Sequence, residues 1–323
     1  MNFFQRTFQW LSFAEAKKTT RATKFLTEME QVVIWDKFLK RIDKHYYTKE
    51  TILWRPKFSS KLMLKIYFLQ QWYDLSDPAV EDAIYDRLSF QNFLWIDVYK
   101  KWSVPDETTI LNFRHFLEKH NLQERFFEIV RKMMEKEWLI LSEWTSVDAS
   151  LIKAPSSTKN QNKKRDLEMS STKKNWSYHF WMKIHIWADH KSWMVHTFHA
   201  TTAKVSDVSE TKRLLHWKEK AVFWDKWYRS KEYKKECREK WVYYWILDQK
   251  TRHHDLSTKQ EKKNKQKTDV RKKVEFNFWI VKHLWWHSKV RYRWLEKNTK
   301  QFFALFTLSN LYKYNQILKK ATS

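Results

Sequence analysis

The sequence predicts an α/β protein in which a helical N-terminal domain precedes a domain built on a mixed β-sheet. Two observations predict this fold class. Apolar residues recur at helical spacing through the first 140 residues, and from residue 144 the period becomes that of β-strands. Helical segments then separate the later strands, a pattern typical of parallel strands joined by crossovers.

The helical domain is predicted over residues 1–140. Its helices follow the apolar spacing, and Pro78 with the acidic Asp77 marks the start of one of them. The predicted helices cover residues 24–47 and 59–72, a segment opened by Ser76 that runs through 82–88, a segment that begins at Pro105 and passes Phe116, and residues 121–137.

The second domain is predicted over residues 141–323. Its strands are expected at residues 145–152, 178–188, 194–201, 221–225 and 242–247, and its helices at 207–216, at 230–240, after Thr268 and after Asn298. The order βββαβαβα matches a ribonuclease-H-like layout. Residues 189–193 would form a hairpin loop if position 193 were glycine.

Two polar, basic segments interrupt this regularity. Residues 153–175 and 248–273 carry few large apolar side chains. Solvated loops are one interpretation, and contact with nucleic acid is the other, because both segments flank the predicted strands.

The charge of the chain points to a polyanionic partner. The 323 residues carry a formal net charge of +26, and nucleic acid is the commonest partner of such a protein. A basic membrane-surface protein is the alternative, but the charge is spread along the chain. The single cysteine, Cys237, and the lack of an 18-residue apolar run predict a cytoplasmic protein that does not span a membrane.

The glycine and tryptophan contents are the most unusual features of the composition. The chain has no glycine and 21 tryptophans, whereas about 7% glycine is typical. Several tryptophans stand where turns are expected, at residues 136–138, 191–193 and 225–228, although Trp is a poor turn residue. We expect that UGA codons read as glycine in the source have been translated here as Trp. The alternative is a protein with a Trp-rich core.

Asp148 and Asp225 are candidates for a cation site. Asp148 interrupts an apolar strand, and Asp225 ends another. A carboxylate in or beside a buried strand is costly unless a cation compensates its charge. The first and fourth strands are neighbours in the predicted sheet, so the two carboxylates are expected to approach each other. For either residue alone, a capping or turn role is the alternative.

Glu275 supplies a third carboxylate. Arg271, Glu275 and Lys282 are spaced i, i+4 and i+11, and these offsets fall within about 40° on one helical face. An exposed face with ordinary ion pairs is the alternative, because Arg and Glu at i, i+4 are common.

Four long motifs resemble those of InsH-like DDE transposases from bacterial insertion sequences. Residues 147–160 (VDASLIKAPSSTKN) resemble the first-Asp motif of that family. The other matches are residues 66–78 (IYFLQQWYDLSDP), 104–115 (VPDETTILNFRH) and 289–299 (KVRYRWLEKNT). The resemblance extends over nearly the whole chain.

This resemblance implies that Asp148, Asp225 and Glu275 are the catalytic DDE triad and hold two Mg²⁺ ions, with Mn²⁺ as an alternative. Asp148 would bridge the ions, and each of the other two carboxylates would hold one. Residues 141–323 would then be the catalytic domain, and residues 1–140 would bind DNA.

The family signature Tyr-x2-Arg-x3-Glu-x6-Lys is matched at its last three positions. Thr268 stands where the family has Tyr, which puts one accessory contact in doubt. Contacts to phosphates are expected from Lys159, Lys183, Arg271, Lys282, Arg291 and Arg293. His185 shares the strand face of Lys183, and a structural role for it is equally open.

The function implied is cleavage of double-stranded DNA at the terminal inverted repeats of an element and strand transfer into target DNA. A homodimer would hold two element ends in the cytoplasm, in association with the nucleoid. A catalytically inactive DNA-binding derivative and a nuclease that does not rejoin strands are the alternatives.

The family patterns also locate the expected glycines. Where the family has Phe-Gly-Met-Lys-x-His-x-Gly and Gly-Asp-x-Gly-Tyr, this chain has Trp181, Trp187, Trp224 and Trp227. The same replacement is expected at Trp54, Trp95, Trp217 and Trp294. Genuine tryptophans are expected at Trp35, Trp72 and Trp285. A structure of the literal chain should show strain at Trp181, Trp193, Trp224 and Trp227.

Overall fold

A computed structural model describes most of the chain. The described residues are 19–47, 57–100, 103–141, 143–159, 163–174, 176–207, 209–210, 219–224, 231–246 and 256–322. Their helical N-terminal part comprises α1 (Arg21–Val32), α2 (Trp35–Tyr46), α3 (Ser60–Tyr73), α4 (Asp77–Asp86), α5 (Leu88–Leu94), α6 (Glu107–Lys119) and α7 (Leu122–Lys136). The predicted helical region is therefore confirmed, with two differences in its elements.

Four of these helices begin where the sequence supplies a capping oxygen. Thr20, Ser59, Ser76 and Asp106 each accept a hydrogen bond from the backbone N–H three residues further on, which satisfies one of the free donors of a first turn. The helix expected over residues 24–47 is broken at Val33, and the short α5 was not predicted.

Helix α3 is the centre of the helical region. It is buried on nearly all sides and packs against α2, α4, α5 and α6. Two tryptophans contribute to this core through aromatic contacts. Trp72 lies 5.3 Å from Phe25 between ring centroids, and Trp35 lies 5.6 Å from Phe68. Both tryptophans therefore have packing roles that glycine could not fill.

A six-stranded mixed sheet follows the helices. Its strands are β1 (Trp144–Lys153), β2 (Ser170–Lys174), β3 (Ser177–Asp189), β4 (Val195–Thr202), β5 (Ala221–Trp224) and β6 (Tyr243–Ile246). The order is β2-β3-β1-β5-β6, and β4 also pairs with β3. Strand β3 is antiparallel to β1, β2 and β4, whereas β5 is parallel to β1 and to β6.

The five predicted strands are observed within one or two residues of their expected ends. Strand β2 was not predicted, because it lies in the polar segment 153–175, for which a solvated loop and a nucleic-acid contact were the two interpretations. It forms because β3 is long: Ser170 pairs with Trp181, and Lys174 pairs with Ser177. Most of the helix expected over residues 207–216 lies outside the described residues.

Helices cover both faces of the sheet. Helix α8 (Lys231–Glu239) contributes Cys237 to a small core with Val147, Trp187 and Val222. Burial raises the pKa of the Cys237 thiol to about 11. On the opposite face, α9 (Thr258–Trp279) packs against β1 and β5, and α10 (Leu295–Thr322) packs against β4.

Helix α9 begins ten residues before the expected start near Thr268, so the solvated-loop interpretation of segment 248–273 does not hold for residues 258–273. Ser257 and Gln260 form a capping box at its N-terminus, which fixes the first turn despite the polar composition. The helix continues into one π-helical turn, Ile280–Leu284. Residues 248–255 of the same segment lie outside the described residues.

Helix α10 joins the helical region to the sheet. It packs against α1, α7 and β4, and its buried residues belong to one hydrophobic core shared with both parts. The buried Lys313 donates to the carbonyl of Trp193 at 2.6 Å and to Oδ1 of Asn277. Burial holds the pKa of this amine well below its ordinary value. In the described part of the chain, no helix has the length and apolar character needed to cross a membrane.

Tryptophan occupies many left-handed backbone positions. Seven of the ten positive-φ residues in the described ranges are Trp: Trp95, Trp138, Trp176, Trp193, Trp241, Trp286 and Trp294. Left-handed backbone costs roughly 1–2 kcal/mol for a residue with a Cβ. The strain expected at Trp193 is observed, with φ of 62° in the β3–β4 hairpin. Trp181 and Trp224 lie in strands instead, and Trp227 is outside the described residues.

Three of these tryptophans end helices in the same way. Trp95, Trp138 and Trp241 follow α5, α7 and α8 with φ of 58°, 56° and 58°. In each case the next N–H reaches back to a carbonyl in the last turn, as from Leu139 to Met134 at 2.9 Å. This Schellman arrangement usually places glycine at the left-handed position.

Candidate active site

Asp148 lies in the middle of β1 and is half-buried. Its neighbour Val147 faces the small core under α8, so Asp148 points to the opposite face, where α9 and α10 pack. Across the sheet Asp148 pairs with Ile186 of β3, which belongs to the main core.

Lys282 fastens the end of α9 to this strand. Its Nζ donates to Oγ of Ser150 at 2.5 Å and to the carbonyl of Leu151 at 2.8 Å. Ser150 is two residues from Asp148 and therefore on the same face of β1. The π-helical turn thus places the charged amine of Lys282 beside the strand that carries Asp148.

Glu275 lies on α9, whose buried side carries Val274 and Phe278. Its side chain is exposed. Because α9 packs against both β1 and β5, the helix that carries Glu275 and the strand that carries Asp148 are brought together. Arg271 is on the same helix, but its side chain is outside what the structure describes.

Asp225 lies outside the described residues. Strand β5 is described up to Trp224, and its parallel register with β1 pairs Ser146 with Phe223. Asp148 and Asp225 are each two positions further along the sequence. Among the described residues, no three or more His, Cys, Asp or Glu side chains are grouped to hold a metal ion. Carboxylate oxygens are the ligands that Mg²⁺ prefers, so the chemistry of Asp148, Asp225 and Glu275 fits such an ion.

Lys183 and His185 lie on the other face of the sheet from Asp148. Lys183 pairs with Leu151 and His185 with Ala149, and these positions alternate with Asp148. Lys183 Nζ forms an ion pair with Asp207 at 2.8 Å and donates to the carbonyl of Val205 at 2.7 Å.

The other basic residues predicted to bind DNA are dispersed. Lys159 is exposed in the segment after β1. Arg291 forms an ion pair with Asp74 at the end of α3, at 2.6 Å. The guanidinium of Arg293 lies over the ring of Trp294, at 4.9 Å from its centroid. Of the six predicted phosphate contacts, the structure places Lys282 against β1, the strand that carries Asp148.

His185 is a buried, neutral histidine. Its Nε2 lies 3.0 Å from Oγ1 of Thr201. Burial lowers its pKa from 6.5 to about 4, although the nearby Asp207 acts in the opposite direction. This environment favours the structural role over one in DNA contact.

Stability should fall as the pH decreases from 6.5 towards 4, in part because of His185. The folded pKa is depressed, so the unfolded chain takes up a proton first and unfolding is favoured over this range. Urea unfolding at several pH values should show a smaller loss for His185→Gln than for the unchanged protein. His115→Gln, at an exposed position, is the control and should leave the profile unaltered. Equal slopes for all three proteins would contradict the assignment.

Two clusters of hydrogen bonds and ion pairs, around Asp189 and around Asp74, were not predicted from the sequence. Asp189 accepts hydrogen bonds from the N–H groups of Leu141, Lys191 and Ser192 and so shapes the β3–β4 hairpin. Asp74 binds residues more than 200 positions away. The first cluster has a sequence signal, since Asp precedes a predicted turn. The second has none, because the pairing depends on the tertiary fold.

Comparison with known proteins assigns both parts of the chain. Residues 14–116 match the family described as Transposase domain (DUF772), and residues 142–311 match the family described as Transposase DDE domain. The cryo-EM structure of a piggyBac transposase synaptic complex with hairpin DNA is similar over 90% of this chain and 73% of that chain, at 10% identity and a TM-score of 0.43. The DDE family implies a ribonuclease-H-like fold and a requirement for a divalent metal. Since its match spans more than half of the sequence, the chain belongs to the Transposase DDE domain family and is a DNA-cleaving and strand-transferring transposase.

Proposed function

We propose that Asp148, Asp225 and Glu275 are the catalytic triad of an InsH-like transposase with a ribonuclease-H-like catalytic domain. The observation that carries this proposal is the attachment of α9 to β1: Lys282 is bonded to Ser150 and Leu151. This attachment supports a fixed position for Glu275 against the strand that carries Asp148.

Two Mg²⁺ ions would activate the attacking oxygen and stabilise the leaving oxygen of the phosphodiester. Asp148 would bind both ions, and Asp225 and Glu275 would bind one each; Mn²⁺ is an alternative metal. Water is the nucleophile for cleavage and a DNA 3′-hydroxyl is the nucleophile for strand transfer. The protein itself would hold these carboxylates and Lys282 in fixed positions relative to one another.

The substrate proposed is the pair of terminal inverted repeats that flank the gene. Labelled duplexes with these ends should be cut and joined to a target plasmid in the presence of Mg²⁺. Cutting without joining would favour the stand-alone nuclease. DNA binding without either step would favour the catalytically inactive derivative.

We also propose that the left-handed tryptophans are glycines in the functional protein, through UGA codons that its source reads as glycine. Seven positive-φ tryptophans support this, because Trp is costly in that conformation and glycine is not. Trp35, Trp72 and Trp285 are proposed as genuine, since they are buried and contact other aromatic rings. Sequencing the codons tests this proposal. We expect UGA at the seven positive-φ tryptophans and UGG at Trp35, Trp72 and Trp285.

The N-terminal half of α9 is proposed as a DNA-backbone contact. The exposed Lys262, Lys263 and Lys265 lie on it, upstream of Glu275. A cluster of exposed lysines along one helix is typical of a surface that contacts nucleic-acid phosphates. Phosphate contacts by Lys159, Lys183, Arg271, Lys282, Arg291 and Arg293 remain part of the same proposal.

Replacing Lys262 and Lys263 by Gln should weaken DNA binding and its dependence on salt. Each lost phosphate contact lowers the slope of log K against log salt by about 0.9, so a decrease of up to about 2 is expected. Fluorescence anisotropy with end DNA at several salt concentrations measures this. The matched control replaces Lys234 and Lys235 of α8, on the opposite face of the sheet, with the same change in charge. Equal slopes for both double variants would contradict a specific role for α9.

The division of labour and the assembly are also proposals. Residues 1–140 would recognise element ends and residues 141–323 would carry out catalysis, in a homodimer associated with the nucleoid in the cytoplasm. Light scattering of the complex with two end duplexes should give a mass for two chains. A mass for one chain would exclude the dimer.

A further inference from the structure

Asp74 connects α3 of the helical region to a segment that follows α9. It ends α3 in the left-handed conformation, with φ of 50°. Its Oδ1 lies 2.9 Å from Nδ1 of His287 and accepts from Nε of Arg291 at 2.7 Å. Arg291 also donates from Nη2 to the backbone carbonyl of Asp74. One residue of the helical region therefore binds two side chains of the catalytic region.

The cluster is partly shielded from water. His287 is buried, and its Nε2 lies 2.7 Å from the carbonyl oxygen of Gln71 in α3. Burial acts to raise the pKa of Asp74, but His287 and Arg291 outweigh that effect, and the pKa lies below its ordinary value. The carboxylate is therefore charged at neutral pH. Breaking a shielded charge pair leaves its partners uncompensated, which is costly.

The other side of the same segment contacts the strand that carries Asp148. We call residues 282–291 the strap. At its start Lys282 binds Ser150 and Leu151 of β1. Further along, Lys153 donates its N–H to the carbonyl of Ser288 at 3.3 Å and accepts from the N–H of Val290 at 2.8 Å. The strap thus lies between the end of β1 and the end of α3.

We propose that Asp74 is a positioning residue for the reaction: by holding His287 and Arg291 it fixes the strap, and the strap fixes α9 and Glu275 against β1. This inference rests on the proposed roles of Asp148 and Glu275. It assigns to the helical region a second task besides DNA binding, because Asp74 belongs to that region while the groups it positions belong to the catalytic region.

The test uses Asp74→Asn in the full-length protein. Asn keeps the shape of the side chain and tolerates the left-handed backbone, but it removes the charge. We expect the cleavage rate at saturating end DNA to fall by about tenfold or more, since small displacements of reacting groups cost this much. The DNA concentration for half-saturation should rise by a smaller factor than the rate falls, because only Lys282 and Arg291 of the proposed phosphate contacts belong to the strap. Asp74→Glu, which keeps the charge, should recover part of the rate.

Hydrogen exchange measured by mass spectrometry gives a readout that does not need catalysis. In Asp74→Asn, exchange should become faster in peptides that cover the strap and the parts of β1 and α9 that it contacts. It should stay unchanged in α1 and α2. The matched control is Glu30→Gln, which breaks the ion pair with Lys65 inside the helical region. Glu30 and Asp74 have similar side-chain exposure, 30% and 28%. The control should lose stability without loosening the strap.

Three outcomes would overturn the proposal. They are an unchanged cleavage rate in Asp74→Asn, unchanged exchange in the strap, and rate losses that follow global stability equally in both variants. A failure of the proposed function appears differently: the unchanged protein would not cut end DNA at all. In that case the exchange data still decide whether Asp74 holds the strap.

Discussion

Replacing Asp148 by Asn is expected to lower the rates of DNA cleavage and strand transfer by about 1,000-fold or more. Asn keeps the size of the side chain but lacks the negative charge that would hold the metal ions. A loss of about 4 kcal/mol of transition-state stabilisation corresponds to this factor. Radiolabelled end duplexes in a single-turnover assay measure both steps. Affinity for the same duplexes in Ca²⁺ should be unchanged, because most DNA-binding energy comes from phosphate contacts elsewhere.

The control for this variant is Glu143→Gln, one residue before β1. Glu143 forms an exposed ion pair with Lys220, and such pairs contribute little to stability. It should cut and join DNA at the original rate. Wild-type activity in Asp148→Asn would exclude the proposed triad, and lost DNA binding in that variant would assign Asp148 to folding.

Changing Trp95, Trp138 and Trp241 together to glycine should stabilise the protein by about 3 kcal/mol. Each of the three relieves a left-handed backbone at a helix end, worth about 1 kcal/mol. All three side chains are exposed, so little packing is lost. Urea unfolding gives the free energies, provided the transition is two-state.

Two tryptophans that we propose as genuine provide the contrasting result. Trp35→Gly and Trp72→Gly remove buried rings from helices and should each destabilise the protein by about 3–5 kcal/mol. If the triple variant is also destabilised, the left-handed positions are not glycine sites. The change in the free energy of unfolding is expected to have opposite signs for the triple variant and for the two single variants. A general effect of removing Trp would give the same sign in both cases.

Strand and helix patterns predicted much of the fold, because most elements bury one face. Strands β1, β3 and β4 follow the apolar pattern closely. Strand β2 and the first half of α9 were not predicted, and the reason is the same for both. Their side chains are polar, and they form through pairing with β3 in one case and a capping box in the other.

The sequence predicted which residues belong to the site, but it did not predict on which face of the sheet each of them lies. Residue spacing placed Glu275 and Lys282 on one helix, and the structure has Glu275 on α9 and Lys282 in the π-helical turn that continues it. The sequence could not give the register between β1 and β3, which decides that Lys183 faces away from Asp148. Roles in catalysis and DNA contact for the predicted residues stay predictions. The partners of Asp74 are set by tertiary packing, and residue spacing carries no signal for them.

Helix α10 is the final element of the chain, yet its buried residues complete a core that begins at α1. Domains usually fold in order as the chain emerges during synthesis. Here neither half can close its core until α10 is available. Truncation within this 28-residue helix therefore removes packing from both halves at once.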